Sequence, residues 1–247
     1  MKYRTPDGLM ISGFYRELLS EEHVLIVGAP GAGKSVLLNE AITTALTLHS
    51  PAKVQLILID PKQVELTEYR PFPHTLQYAS TGPAIIEALR YACDLIDSRL
   101  TAMSAQGLKK WPGSRVFVVI DELLDIMTGP AIKKTCQPLI QKIAALGRAP
   151  AVTLLACTQC PLSTVIPTPI KACFSNRVCL RTACAQDCRN IIQTTGAESF
   201  PIPRIEGKAF CFFRRGSELF RLAVPVYPAD RRPFLLRYWT SPECRVS

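Results

Sequence analysis

The stretch Gly28-Ala29-Pro30-Gly31-Ala32-Gly33-Lys34-Ser35 constrains the fold more tightly than any other part of the chain, because it joins the apolar run Val24–Val27 to a periodic segment carrying Val36, Leu37, Ile42 and Leu46. It fits G-x-x-x-x-G-K-[ST] in the strand–loop–helix setting which that pattern requires. Glycines let the backbone curl so that successive N–H groups and the helix N-terminus face phosphate oxygens. Such a cradle runs from Gly28 to Val36. In it Lys34 neutralises the β- and γ-phosphates of a nucleotide, and the Ser35 hydroxyl coordinates Mg²⁺.

A strand feeding such a loop belongs to a parallel sheet, and the rest of the chain supplies one. Short apolar runs recur at Val54–Ile59, Val116–Ile120, Val152–Ala156 and Arg177–Leu180, each of a length suited to a strand buried on both faces. Between them, Ile85, Leu89, Ala92, Ile96 and Leu100 repeat at helical spacing, as do Ile132, Cys136, Leu139, Ile143 and Leu146. The alternation predicts an α/β fold, a mostly parallel sheet with helices on both sides. The proline-rich stretches Arg70–His74, Pro161–Pro169 and Phe200–Pro203 read as loops. Lys208–Phe213 and Leu219–Val226 read as a C-terminal hairpin. Residues 1–226 are thus expected to form one domain, and 227–247 a tail without an assigned structure.

Two further strand ends carry polar groups. Val116–Ile120 ends in Asp121-Glu122, which delivers two carboxylates to the sheet edge beside the phosphate loop. Asp121 is expected to hold Mg²⁺ through water and Glu122 to polarise an attacking water. Val152–Ala156 continues through Cys157 to Thr158-Gln159, where an amide can sense the γ-phosphate and relay its loss. No [NT]-K-x-D selects guanine, so ATP is the expected nucleotide.

Composition excludes several other classes. With 48% hydrophobic and 20% charged residues the chain can bury a core and is not disordered. No apolar run approaches the roughly 18–20 residues of a spanning helix, and the N-terminus MKYRTPDG lacks a signal-peptide core. A cytoplasmic protein without a membrane segment is therefore expected, with the 10 cysteines reduced. Cys157 and Cys160 form a C-x-x-C with Cys173, Cys179, Cys184 and Cys188 behind them, but no second knuckle follows, so core thiols are expected rather than zinc ligands. The net charge is +9, and nine Lys/Arg against four Asp/Glu fall after residue 200. Such a surplus favours a polyanionic partner.

Taken together, these residues resemble the motor domain of the FtsK/SpoIIIE family of DNA translocases. Asp60-Pro61-Lys62-Gln63-Val64-Glu65-Leu66 with Pro73-His74 is similar to that family's D-P-K-x-x-E-L…P-H. Arg148-Ala149 is similar to its R-A-x-G, ten residues ahead of Thr158. Ile170-Lys171-Ala172, Asn176-Arg177-Val178, Asp187-Cys188-Arg189 and Gly196-Ala197-Glu198 resemble its I-K-A, T-R-I, D-S-R and G-A-E. The resemblance covers roughly residues 10–225. It implies RecA-like P-loop motors in a hexameric ring that pulls duplex DNA through its pore with ATP and Mg²⁺. Lys34, Ser35, Asp121, Glu122 and Gln159 carry over as nucleotide and metal residues. Arg148 matches the arginine that completes the neighbouring subunit's site. Lys171, Arg177 and Arg189 are the expected DNA contacts. Cys160 and Ala185 stand where the family has basic residues, and the glycine-rich segment after G-A-E survives only as Gly207-Lys208-Ala209-Phe210. A related ATPase for single-strand transfer or packaging, and a nucleotide-binding adaptor without hydrolysis, are the alternative readings.

Overall fold

The computed structural model describes residues 14–203, 208–225 and 232–240. Its centre is an eight-stranded sheet of order β3-β2-β4-β5-β1-β6-β7-β8. The strands are β1 (Val24–Val27), β2 (Val54–Ile59), β3 (Thr75–Ala79), β4 (Arg115–Ile120), β5 (Val152–Thr158), β6 (Asn176–Cys179), β7 (Lys208–Arg215) and β8 (Glu218–Pro225). From β3 to β6 every neighbour is parallel, while β7 and β8 pair antiparallel. Parallel strands need crossovers, and helices supply them.

Side-chain alternation divides the core. Leu25, Val27, Ile57, Ile59, Val116, Val118, Ile120, Leu154 and Ala156 point to one face. There they meet helices α3 (Gly82–Ala105), α4 (Leu123–Thr128), α5 (Pro130–Leu146), α6 (Thr168–Cys173) and α7 (Ala185–Ile192). Val24, Ile26, Leu56, Leu58, Phe117, Val119, Leu155 and Cys157 point to the other, under α1 (Phe14–Leu18), α2 (Lys34–Leu48) and α8 (Arg232–Thr240). Strands clothed on both faces are why these runs are apolar throughout rather than alternating.

Several elements depart from the sequence reading, the short helices α1 and α4 among them. Strand β3 is added at the sheet edge, its residues 75–78 only half-buried, and β7 and β8 complete the hairpin. Helix α6 begins inside the stretch read as a loop, with Pro169 in its first turn, where the missing N–H has no intrahelical partner to lose. Helix α7 had no expectation attached. Within the expected tail, α8 packs on α2 through Leu235 and through Trp239, whose indole N–H donates to Leu46 O at 2.7 Å. Residues 227–231 and 241–247 of that tail, and 1–13, 204–207 and 226 of the expected domain, lie outside the described residues. Among the described residues no helix is long and apolar enough to cross a membrane.

Candidate functional site

The parallel sheet brings the C-terminal ends of β1, β4 and β5 to one edge, and the predicted polar residues lie there together. After β1 the loop is pinned by Gly28 N–H to Thr158 O at 3.3 Å and Ala29 N–H to Arg181 O at 2.8 Å, and it folds back through Ala32 N–H to Ala29 O. Gly33 then takes φ 94°, a left-handed conformation, and a Cβ there would stand 3.1 Å from Ala209 Cβ on β7. The left-handed φ favours glycine, and a Cβ would crowd Ala209. A cleft of about 480 Å³ opens over this loop, lined by Ala29, Pro30, Gly31, Gly33, Lys34, Ser35, Val36, Gln159 and Pro203.

Lys34, the first residue of α2, is almost buried, and its Nζ lies 3.7 Å from Glu122 Oε2. Glu122 is 1% exposed. Its Oε1 accepts the backbone N–H of Leu124 at 3.3 Å and of Gln159 at 3.2 Å, so the carboxylate caps α4 and ties the end of β4 to the end of β5. Oε2 accepts no hydrogen bond among the described residues. Asp121 is also buried, and its Oδ1 has no hydrogen-bond partner among the described residues. Burial, with Asp60, Glu65 and Glu122 adding negative charge and Lys34 opposing, pushes the Asp121 carboxyl up to about 6. The edge is an anionic cluster short of cations. It suits a divalent ion, whose charge inverts that local balance.

The remaining expected residues divide sharply. Arg148 is more than half exposed and paired with Glu22. It precedes β5, whereas Gln159 follows it; seven strand residues at about 3.3 Å each hold it about 20 Å from its own cleft. Arg177 is occupied: Nε donates to Phe174 O, Nη1 to Ile191 O and Nη2 to Lys171 O, each at 3.0 Å. Through these carbonyls it clamps the ends of α6 and α7. Lys171 Nζ donates to Asn190 O at 3.2 Å. Arg189 alone of the three is exposed, and its side chain has no hydrogen bond or ion pair among the described residues.

Two features were not assigned from sequence. Asp60, fully buried at the end of β2, joins the carboxylates, and the same signal that marked Asp121, an aspartate ending an apolar run, was available for it. Lys62 pairs with Asp125 at 3.2 Å, tying the loop after β2 to α4. His23 is buried, with its Nδ1 accepting Leu154 N–H; burial, with Arg148 assisting, holds its pKa down to about 4, so the ring is neutral. Cys157 is buried in the core, and among the described residues no three His, Cys, Asp or Glu side chains are placed to hold a metal. Mg²⁺ does not need three, since it is usually bound by one or two carboxylates, substrate phosphates and water.

Residues 4–115 match the FtsK/SpoIIIE family. The DNA translocase FtsK of Borreliella burgdorferi is 35% identical over 240 residues, covering 85% of this chain and 30% of that protein. The DNA translocase FtsK of Caldanaerobacter subterraneus is 34% identical over 194 residues, covering 74% of this chain and 27% of its own. The chain thus spans less than a third of the length of these curated relatives. Among solved structures, the conjugation coupling protein TcpA of pCW3, in its monomer form with ATPγS, superposes with a TM-score of 0.75 at 24% identity, covering 90% of this chain and 66% of that one. The cytoplasmic domain of the type VII secretion ATPase EccC of Thermomonospora curvata superposes with a TM-score of 0.72 at 21% identity, over 88% of this chain and 28% of its own. These structures establish the fold.

Proposed function

The chain belongs to the FtsK/SpoIIIE family, and on that premise we propose that it is an ATP-hydrolysing motor that moves duplex DNA through a hexameric ring of its own copies. The observation that carries this reading is that Lys34 and Gln159 line one cleft over a phosphate-binding loop, with the buried Glu122 carboxylate held against both. A loop and lysine alone would bind nucleotide. The buried carboxylate held beside them adds the means to hydrolyse it.

The backbone N–H groups of 28–36 and the α2 N-terminus receive the phosphates. Ser35 and Asp121 would hold Mg²⁺, and the unpartnered Asp121 Oδ1 fits that use. The ion, when bound, neutralises charge on the β- and γ-phosphates. Lys34 turns from Glu122 to the phosphates, which frees Glu122 Oε2 to accept a proton from the attacking water. Gln159 couples the two halves: its backbone N–H positions Glu122 while its side chain lines the phosphate cleft, so loss of the γ-phosphate is felt at the end of β5. Arg148 cannot serve its own cleft and acts on the neighbour's, after release from Glu22. On the DNA side the geometry favours Arg189, with Lys171 secondary.

ATP turnover measured without DNA, with single strands and with duplex tests the reading. Duplex is expected to stimulate turnover most, and the stimulation to fall steeply between about 50 and 200 mM salt, as phosphate contacts do. Equal rates under all three conditions would contradict a DNA motor.

A further inference from the structure

The register of the sheet places a second carboxylate beside Asp121. Strands β2 and β4 are parallel neighbours with Ile59 opposite Ile120, so Asp60 and Asp121 leave the sheet side by side, about 4.8 Å apart at the backbone. Both main chains are anchored there. Asp60 N–H donates to Ala79 O at 2.9 Å and Asp121 N–H to Ile59 O at 3.1 Å.

Asp60 is 0% exposed. Its Oδ2 accepts the Leu66 N–H at 2.9 Å, which shapes the turn after β2. Among the described residues its Oδ1 has no hydrogen-bond partner, and neither has Asp121 Oδ1. A buried carboxylate oxygen left without a donor is costly, and two on adjacent strand ends are costlier still. The nearby lysines do not answer them: Lys34 stands against Glu122 and Lys62 against Asp125. What the pair lacks is a donor that brings positive charge with it. Magnesium-bound water is such a donor, because the ion dehydrates reluctantly and keeps several waters when it sits on phosphates.

We propose that Asp60 is a positioning residue of the metal–nucleotide site, its Oδ1 accepting a hydrogen bond from a water of the Mg²⁺ ion that Ser35 and Asp121 hold. This rests on the nucleotide site described above and adds to it a residue from the strand beside β4. The rival explanation is that Asp60 only shapes the turn at Leu66. Asp60→Asn separates the two, since an amide oxygen still accepts from Leu66 N–H while the amide NH₂ replaces the second acceptor.

The test is binding of a fluorescent ATP analogue in EDTA, then binding of Mn²⁺ to the nucleotide complex, followed by electron paramagnetic resonance. Asp60→Asn should match the wild type in EDTA and lose about 10–100-fold in Mn²⁺ affinity, the usual cost of removing an outer-sphere ligand partner. Unchanged Mn²⁺ affinity would overturn the proposal. So would equal losses with and without metal, which would assign Asp60 to the turn alone. Should the asparagine variant not fold, Asp60→Thr keeps one oxygen for Leu66 N–H and is read in the same way. Failure of the wild type to bind nucleotide under any condition would instead remove the nucleotide-site reading.

Discussion

Lys34→Ala is expected to abolish nucleotide binding while leaving the fold intact. Lys34 opens α2, a position where alanine is a good helix former, and the core beneath it is built by Leu37, Leu38, Ala41 and Ile42. The substitution therefore spares the scaffold and removes the main side-chain counterion of the phosphates. Truncating one member of a buried charge pair costs about 2–5 kcal/mol, and each 1.4 kcal/mol is about tenfold in affinity. The loss in the cleft should thus be on the order of a hundredfold or more. Titration with a fluorescent nucleotide checks it, alongside a circular dichroism spectrum that stays wild-type; the melting temperature is expected to fall, because Glu122 is left buried without its cation. Binding within a few-fold of the wild type would mean that the cleft over Gly28–Ser35 is not the nucleotide site.

Arg148→Ala should fail in a different way, because the fold sets Arg148 at the opposite end of β5 from Gln159. The variant should bind nucleotide normally in its own cleft and lose turnover, by about 10³–10⁵ if Arg148 acts as arginine fingers do elsewhere. The decisive form is a mixture. Arg148→Ala subunits retain Glu122, and Glu122→Gln subunits retain Arg148, so a ring of both contains interfaces at which an intact Arg148 meets an intact Glu122. Each variant alone should be nearly inactive, and the mixture should recover part of the rate. The exposed ion pair with Glu22 does not oppose this, since surface pairs contribute only about 0–1 kcal/mol. Full activity of assembled Arg148→Ala subunits would remove the trans-acting role.

The parts of this architecture that were legible in the sequence are those where one physical demand dominates. β1, β2, β4, β5 and β6 are buried on both faces and read as apolar runs, and α3 and α5 show their buried stripes. β3 was not legible, because an edge strand in which only Ala79 is buried leaves no such run. α6 is not legible because Pro169 reads as a breaker, although in a first turn proline is compatible with a helix. α8 lies beyond the last recognisable motif, and its anchor is tertiary: the Trp239 indole on Leu46 O, with the ring edge-on to His74 at 4.9 Å.

The site divides along the same line. The phosphate loop and Asp121-Glu122 are marked by residue type at a strand end, and the sheet brings them together. What charge alone could not distinguish was a free cation from an occupied one. Arg177 and Arg189 look alike as basic residues, yet one spends its guanidinium on three carbonyls at the ends of two short helices and the other faces solvent. Carbonyl partners leave no mark in a sequence. Asp60 was legible as an aspartate ending an apolar strand, but its missing partner emerges only from the register with β4.

Single-turnover hydrolysis by Glu122→Gln in the presence of duplex DNA decides whether the cleft cleaves ATP by means of Glu122. The amide preserves the acceptor for Leu124 N–H and Gln159 N–H and removes the base. The variant should hold ATP with near wild-type affinity and cleave it at least about 10²-fold more slowly, the contribution typical of a general base. Cleavage at the wild-type rate would mean that Glu122 is not the base.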